Sequence, residues 1–573
     1  MRFVAVATDY DGTLAREGVV DQVTMASIHR LLDSGRSLIL VTGRMIDDLL
    51  GAWPEAGLCQ RIVAENGAVL YRPSSKDQLV LGPPPSGPFI ELLQSRGVHP
   101  MVIGQSIIAT TRPHAVAVFE TIRDLGLEHH VVFNRESVMI LPPGINKASG
   151  LKKALSELQF SPRNVVAIGD SENDHALLQA GEYAVAVGNA IPQLKANADK
   201  VTQGHEGEGV REIISELIKD DLAGVTSHLA RHEIHLGILN DDTIMTISPV
   251  MDNVLVAGSS GSGKSSLATG ILQRLAHSGY QFCVIDPEGD YESFDKAIVF
   301  GNAQRGPTVP EVMTALENPR AQIVINLLGL PLEDRPRFFL ELFPRLQECR
   351  AKTGRPHRIL VDETHHLLPP DWQPMPVVWT KHLQGMLFVT VHPEQVSKLV
   401  LESIDVVMTL GQKPDRTLKA FADRLGLTAP RTRREKLKVG EAIVWSVRSG
   451  EPPKTLRITP SDGERRRHRR KYAEGQLGPD RSFYFKGPRG ELNLRAQNLT
   501  SFMQLAQGVD DATWTYHLKQ GDYSRWMEVA IKDFPLARLI HQIENESALS
   551  AKDSRQRVTK AIEERYTWPA VGG

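Results

Sequence analysis

The feature that most constrains this chain is the run DNVLVAGSSGSGKSSLATGIL at residues 252–272. An apolar β-type stretch, a loop of glycine and serine, and a helical pattern follow one another without a gap. Gly258 to Ser265 fit the spacing G-x-x-x-x-G-K-S. Glycines in such a loop let backbone N–H groups curl around phosphate oxygens, and the helix amino terminus adds a favourable dipole. Gly258, Ser259, Gly261, Ser262, Gly263 and Ser266 are expected to line the cradle. Lys264 is expected to reach the β/γ-phosphates and Ser265 to hold magnesium. A strand feeding a helix through this loop calls for α/β layering around a mainly parallel sheet.

Two later stretches extend the pattern. RILVDETHHLL ends a strand in Asp362 and Glu363. Asp362 is placed to hold magnesium through water and Glu363 to polarise an attacking water, which makes ATP a substrate and not only a ligand. GMLFVTVHPEQ supplies a third strand, whose His392 reads equally as a γ-phosphate sensor and as a surface histidine. His365 and His366 read as a helix start, because no partner histidine or cysteine stands at ligand spacing.

Residues 1 to about 220 repeat the logic with other residues. VAVATDYDGTL is a buried-strand pattern ending in Asp9, Tyr10 and Asp11. Two carboxylates two residues apart at a strand end can face one crevice, one attacking phosphorus and the other serving as general acid and base. SLILVTGR ends in Thr42, GINKASGLKKAL starts a helix at Lys147, and VVAIGDSENDHALL ends in Asp170, with Asn173 and Asp174 just beyond. Alone, Asp-x-Asp is a turn signal, and the other stretches read as a cap, a surface lysine and an acidic loop. All four in order, each tied to an apolar strand, point instead to a phosphoryl site, with magnesium offsetting the carboxylate–phosphate repulsion.

These four segments resemble the motifs of haloacid dehalogenase (HAD) phosphatases, in the Cof-like and sugar-phosphate group with an α/β cap between the second and third motifs. The resemblance covers about residues 1–215. It implies Asp9 as nucleophile, Asp11 as general acid and base, Thr42 and Lys147 as phosphoryl holders, and a magnesium site of Asp9, Asp11 (through its carbonyl), Asp170, Asn173 and Asp174. It also implies a sugar phosphate as substrate, chosen by a cap at about residues 80–145. Arg44 and Glu65–Asn66–Gly67 are candidates to line the entrance, Arg44 reading equally as a salt-bridge partner.

The second half resembles the HerA/FtsK branch of RecA-like ATPases over about residues 232–458, through VLVAGSSGSGKSS, VIDPEGDYESF, ILVDETHHLLP, VTVHPEQVSKLVLESIDVVMTLG and KVGEAIVWSV. That resemblance implies a homo-oligomer, a hexameric ring, with DNA pumping as one use. The small β-barrel that precedes the HerA core is absent here or reduced to residues 232–250. Arg335, Arg350 and Arg355 are candidates for a trans-acting arginine. From RSFYFKGPRG onward the tail resembles a small bacterial domain of unknown function, expected to be mostly helical α+β.

The 573 residues thus divide into a HAD-like unit (1–220), a connector with a short β segment (221–250), an ATPase (251–460), a basic linker (461–478) and a carboxyl-terminal domain (479–573). A net charge of −2 gives no global attraction to nucleic acid or anionic membrane. Local charge does occur: Arg465, Arg466, Arg467, Arg469, Arg470 and Lys471 crowd the linker, and Arg431, Arg433, Arg434 and Lys436 form a second cluster. Each reads as a solvated segment or as a salt-sensitive contact to a phosphate backbone. Cys59, Cys283 and Cys349 form no Cys-x-x-Cys pair, so a disulfide framework or zinc site is not expected and a reducing cytoplasm fits. No run of about 18 apolar residues suggests a membrane span, and the early acidic residues do not suit a secretory leader. Trp514, Tyr516, Tyr523 and Trp526 read as core residues of the tail.

The expectation is a bifunctional enzyme, a phosphatase for a small phosphomonoester coupled to an ATP-hydrolysing ring. The alternative is a nucleic-acid translocase of repair or phage defence whose HAD domain processes nucleotide or nucleic-acid phosphates. A polynucleotide kinase–phosphatase analogue is disfavoured by the Asp362–Glu363 pair, and a scaffold with degenerate sites by the complete motif sets.

Overall fold

The computed structural model describes residues 1–224, 229, 232–372, 383–431, 437–460, 472, 477–478, 481–531, 533–546 and 549–566. The basic linker cluster at 465–471, and Arg433, Arg434 and Lys436, lie outside these residues.

The amino-terminal sheet has eight strands, in the order Lys200–Val201, Tyr183–Ala186, Val165–Gly169, Ala5–Thr8, Ser37–Val41, Arg61–Ala64, Val69–Arg72, Asp77–Val80. The first six run parallel and the last two antiparallel. The central strands are buried along their whole length, as a parallel sheet covered by helices on both faces requires. Ala5–Thr8 pairs with Val165–Gly169 on one side and Ser37–Val41 on the other. Strand order therefore reverses at Ala5–Thr8, and open α/β sheets bind ligands outside the strand ends at such a point.

The cap is an antiparallel sheet of four strands, Val102–Ile103, Ile108–Thr111, Ser137–Leu141 and His130–Asn134. Helices Gly87–Ser95 and Ala115–Asp124 pack together and close a small core of Phe89, Leu93, Val98, Val118 and Ile140.

The second sheet has eleven strands. Its parallel part contains Phe282–Asp286, Arg358–Val361, Met386–Thr390, Val254–Gly258 and Val406–Leu410. Its antiparallel edge is Glu441–Ser446, Lys454–Ile458, Ile234–Leu239 and Ile244–Ile247. Residues 234–247 thus form a hairpin that extends this sheet, and among the described residues they build no separate barrel. The tail is a two-stranded ribbon, Phe483–Phe485 with Leu494–Ala496, followed by helices. Trp514, Tyr523 and Trp526 sit in its core with Phe483, Phe485 and Phe502, whereas Tyr516 is on the surface. The three cysteines are free, and no described helix is long and apolar enough to cross a membrane.

The two large sheets meet through the residues that precede their strands. Glu182, just before Tyr183–Ala186, is fully buried and accepts hydrogen bonds from the Tyr280 hydroxyl at 2.9 and 3.0 Å and from Arg2 at 3.0 Å. Tyr280 leads into Phe282–Asp286 of the second sheet. Asn164, before Val165–Gly169, faces His357, before Arg358–Val361, with Oδ1 and Nε2 3.1 Å apart. Arg163 Nε donates to the Ser278 carbonyl at 2.8 Å and its guanidinium lies 5.4 Å from the Tyr280 ring centroid. A buried carboxylate needs such partners to offset its lost hydration. Tyr280→Phe is therefore expected to lower the thermal midpoint, with a loss on the order of 1.5–3 kcal/mol for a hydrogen bond to a charged group. An unchanged midpoint would show that this contact does not hold the two halves together.

Candidate active sites

The first site lies at the ends of the three central strands of the amino-terminal sheet. Asp9 follows Ala5–Thr8, Thr42 follows Ser37–Val41, and Asp170 follows Val165–Gly169. All three are buried. Lys147 opens the helix Lys147–Glu157, which Asn146 caps by accepting from the Ser149 N–H. That helix can approach the sheet only because residue 67 is glycine: its φ is 108°, and a Cβ there would collide with the Asn146 carbonyl.

The Lys147 ammonium is 1 % exposed and donates to Asp9 Oδ1 at 2.7 Å and to Asp174 Oδ1 at 2.6 Å. Burial works against its charge, but Asp174 and Asp9 outweigh that and hold its pKa above the ordinary lysine range. Asp9 is pushed well above the usual carboxylate range by burial and by Asp174, with Lys147 pulling the other way. Asp170 is raised by burial and then by Asp174. Three buried carboxylates with one lysine leave a surplus of negative charge that a bound cation would relieve.

Asp9, Asp170 and Asp174 each bring an oxygen within 4.8 Å of the others. Asn173 donates to Asn66 Oδ1 at 2.9 Å, while its own Oδ1 is buried without a partner. An all-oxygen donor set with an orphaned carbonyl oxygen fits a hard divalent ion such as magnesium. Asp174 is also occupied otherwise: its Oδ2 accepts from the backbone N–H groups of Asp170 and Ser171 at 2.9 and 3.0 Å. It therefore fixes the 170–174 loop as well as the lysine.

Asp11 is less buried than Asp9, and Arg44 grips both its oxygens at 2.7 Å. Arg44 is thus a salt-bridge partner in this structure, and its guanidinium lies 5.2 Å from the Tyr10 ring centroid. Glu65 accepts from the cap backbone at Gln105 and Ser106, at 3.0 and 3.1 Å, and so ties cap to core.

Sequence reasoning did not identify Arg135. It occupies the turn between His130–Asn134 and Ser137–Leu141 of the cap, with φ 52°. Its Nη2 donates to Asp170 Oδ2 at 2.7 Å. A residue at the tip of a cap hairpin carries no local sign of this contact.

The second site is built at the carboxyl ends of the second sheet. Gly258, Gly261 and Gly263 have φ of 153°, 74° and 97°. A Cβ on Gly258 would strike the Leu410 carbonyl, so the loop can pass the neighbouring strand only with glycine there. Ser259, Ser262, Lys264, Ser265 and Ser266 lie in or directly behind this loop, and helix Lys264–His277 starts within it. The Lys264 ammonium rests 3.2 Å from the Ser259 carbonyl, and the Ser262 hydroxyl is buried without a hydrogen-bond partner. Both suit a loop shaped for an anion.

Asp362 follows Arg358–Val361 and is buried, and burial, with Asp286 next, raises its pKa well above the usual range. Glu363 adopts φ 39° and lies 3.4 Å from His365 Nδ1. The His365 and His366 rings are 4.1 Å apart, and His365 also contacts the Thr390 hydroxyl at 3.0 Å. His392 is exposed and pairs with Glu394 at 3.0 Å.

Asp290 was not singled out from sequence, although its segment was. Its Oδ2 accepts from the Ser265 hydroxyl at 3.2 Å. Asp286 places it there: its carboxylate accepts from the N–H groups of Glu288, Asp290 and Tyr291 at 3.2, 3.1 and 2.8 Å, curling the loop back. Burial pushes Asp286 up to about 6. Of the arginines considered for a neighbouring subunit, Arg350 donates to the carbonyls of Pro356 and Gln384 at 2.7 and 2.8 Å, and Arg355 to that of Leu316 at 3.0 Å. Arg335 donates to the Leu330 carbonyl at 3.2 Å. All three serve contacts within the chain.

Comparison with known proteins agrees with both halves. Residues 6–83 and 101–214 match the family described as haloacid dehalogenase-like hydrolase, and residues 243–354 match the central domain of helicase HerA. A phosphoglycolate phosphatase of Methanothermobacter thermautotrophicus is 32% identical over 220 residues, covering 37% of this chain and 96% of the relative. Phosphoglycolate phosphatase 2 of Saccharolobus solfataricus is 31% identical over 227 residues, covering 38% of this chain and 92% of the relative. A solved haloacid dehalogenase-like hydrolase from Bacteroides thetaiotaomicron is 20% identical, with a TM-score of 0.33, covering 38% of this chain and 99% of that one. With nearly the full length of a relative matched at that identity, the chain belongs to the haloacid dehalogenase-like hydrolases and carries, fused behind the hydrolase, a HerA-type ATPase domain.

Proposed function

We propose that the amino-terminal site hydrolyses a small phosphomonoester with magnesium, through a phosphoryl group carried on Asp9, and that the second site hydrolyses ATP. The observation that carries the first part is the buried contact of Lys147 with Asp9 and Asp174 beside Asp170. An Asp9 oxygen attacks phosphorus, the ester P–O bond breaks, and Asp11 gives the leaving oxygen its proton. Asp11 then takes a proton from the water that cleaves the acyl phosphate. Lys147 and Thr42 hold the phosphoryl oxygens, and Arg44 positions Asp11. Magnesium, held by Asp9, Asp170, Asn173 and the Asp11 carbonyl with Asp174 in support, would supply positive charge against the phosphoryl group. In the second site Lys264 and the loop N–H groups would hold the phosphates, Ser265, Asp362 and Asp290 would hold the nucleotide's magnesium, which would supply positive charge against the phosphates, and Glu363 would orient water.

The substrate is a small phosphorylated metabolite; the cap class suggests a sugar phosphate, and the relatives' name suggests phosphoglycolate. Phosphate release from a panel of phosphomonoesters is expected to vanish with a chelator and return with added magnesium. Release that persists at full rate without divalent metal would end the magnesium-dependent reading.

The HerA match at 243–354 favours a second reading, a ring that moves nucleic acid. ADP production by an Asp9→Asn chain, with and without DNA at two salt concentrations, separates the two. Salt-sensitive stimulation supports the motor; unstimulated basal hydrolysis supports an ATP-driven ring serving the phosphatase.

A further inference from the structure

We infer that Arg135 selects substrates whose leaving group carries a carboxylate next to the phosphate ester, that is, small phosphorylated hydroxy acids rather than neutral sugar phosphates. This rests on the phosphomonoesterase reading of the site that contains Asp9.

The geometry begins with the hairpin tip. Arg135 sits in left-handed backbone conformation, φ 52°, which a bulky residue adopts only when its surroundings hold it. Arg112 donates to the Arg135 carbonyl and reaches Glu172 of the core at 3.3 Å, while its guanidinium lies 5.3 Å from the Phe133 ring centroid. The Arg135 N–H points to the other Glu172 oxygen at 3.4 Å. Glu172, from the loop that carries Asp170 and Asp174, thus clamps the cap tip over the site, and Arg112 is used in the clamp.

That leaves the Arg135 guanidinium for the cleft. It lies directly over Gly12, where a Cβ would collide with it, and pairs with Asp170. Gly12 directly follows Asp11 in the turn that leaves the nucleophile's strand, so the guanidinium stands over the loop that carries both aspartates. The phosphoryl group is gripped from the core side by Lys147 and Thr42, and its leaving group must therefore project towards the cap. Another cap residue on this floor is Met139, whose thioether lies against Asn66 and over Gly43. A fork of donors on the side towards which the leaving group projects suits a leaving group that carries a carboxylate.

Asp170 is the present partner of Arg135 and is also a proposed metal ligand. With Asp170 committed to a cation, the guanidinium, on a side chain 60% exposed at the mouth of the cleft, is free to offer its bidentate fork to a carboxylate. The planar geometry makes lysine a poor substitute.

The test compares 2-phosphoglycolate with ethyl phosphate, which has a leaving group of similar length and no charge. Arg135→Gln is expected to lower kcat/KM for 2-phosphoglycolate about 10- to 100-fold, mainly through KM, the scale of one charge-assisted contact. Ethyl phosphate should be hydrolysed as by the unaltered chain, and Arg135→Lys should recover only part of the loss. Calorimetry gives a readout apart from turnover: 2-phosphoglycolate should bind Asp9→Asn more tightly than Asp9→Asn/Arg135→Gln, and orthophosphate should bind both alike. An equal loss on both esters would overturn the inference, because Arg135 would then act on the phosphoryl group, the metal or the fold. No loss on either would overturn it too, placing the side chain in solvent during turnover. If the unaltered chain hydrolyses no phosphomonoester at all, the parent reading falls, a result distinct from hydrolysis without preference.

Discussion

Asp9→Asn is expected to abolish phosphomonoester hydrolysis, by at least about 10³-fold, the loss of roughly 4 kcal/mol of barrier lowering, while ADP production continues unchanged. An amide has no anionic oxygen to attack phosphorus. The side chain is buried and its shape is kept, so the fold should not suffer. Asp9 has its pKa raised in the fold, first by burial and then by Asp174, so its ionised form is held less well in the fold than in the unfolded chain. The stability linked to this group is present in full below the unfolded pKa and is lost as pH rises through the folded one. Without metal, asparagine removes that loss, and the variant should unfold no earlier than the unaltered chain at neutral pH. Phosphate release assayed alongside a thermal melt checks both points. Phosphomonoesterase activity persisting in the variant would remove Asp9 as the nucleophile.

Lys264→Ala is the mirror experiment. Its ammonium rests against the Ser259 carbonyl inside the glycine loop, and no other described lysine lies in that loop. Losing a preorganised cation on the transferred phosphoryl group should cost about 10²-fold or more in ATP hydrolysis. Phosphomonoester hydrolysis should be untouched, since the substitution leaves Asp9, Lys147 and Asp170 as they are. ADP production at the original rate would mean that another site, the HAD site included, cleaves ATP.

How much of this was legible beforehand follows from where each residue stands in the chain. Asp9, Thr42, Asp170, Asp362 and the glycine loop each come directly after an apolar strand, so a local pattern announces them and the parallel sheet brings their ends together. Arg135 lies 35 residues before the aspartate it touches. Its turn resembles any polar hairpin tip, and only the closed cap brings it over Gly12. Asp290 lies in the segment VIDPEGDYESF, yet its aim at Ser265 depends on Asp286 spending its carboxylate on three backbone N–H groups, which composition does not disclose. Glu182 follows a glycine just before a strand, and nothing local marks it; it is buried with Tyr280 and Arg2, which reach it from elsewhere in the chain. The histidine pair at 365–366 was expected to begin a helix, and it does lie within the short helix Thr364–Leu367. The tail aromatics were expected in a core, as Trp514 and Tyr523 are, with Tyr516 the exception.

The contact between Asn164 and His357 has a consequence for traffic between the sites. Each residue stands at the foot of a strand whose far end carries chemistry, Asp170 in one case and Asp362 in the other. The two halves are joined foot to foot, so their working mouths open at the ends away from the join. Within one chain, a phosphate released at one mouth leaves on the side away from the join that leads to the other half. The join is separated from each mouth by strands that at about 3.3 Å per residue are on the order of 15 Å long.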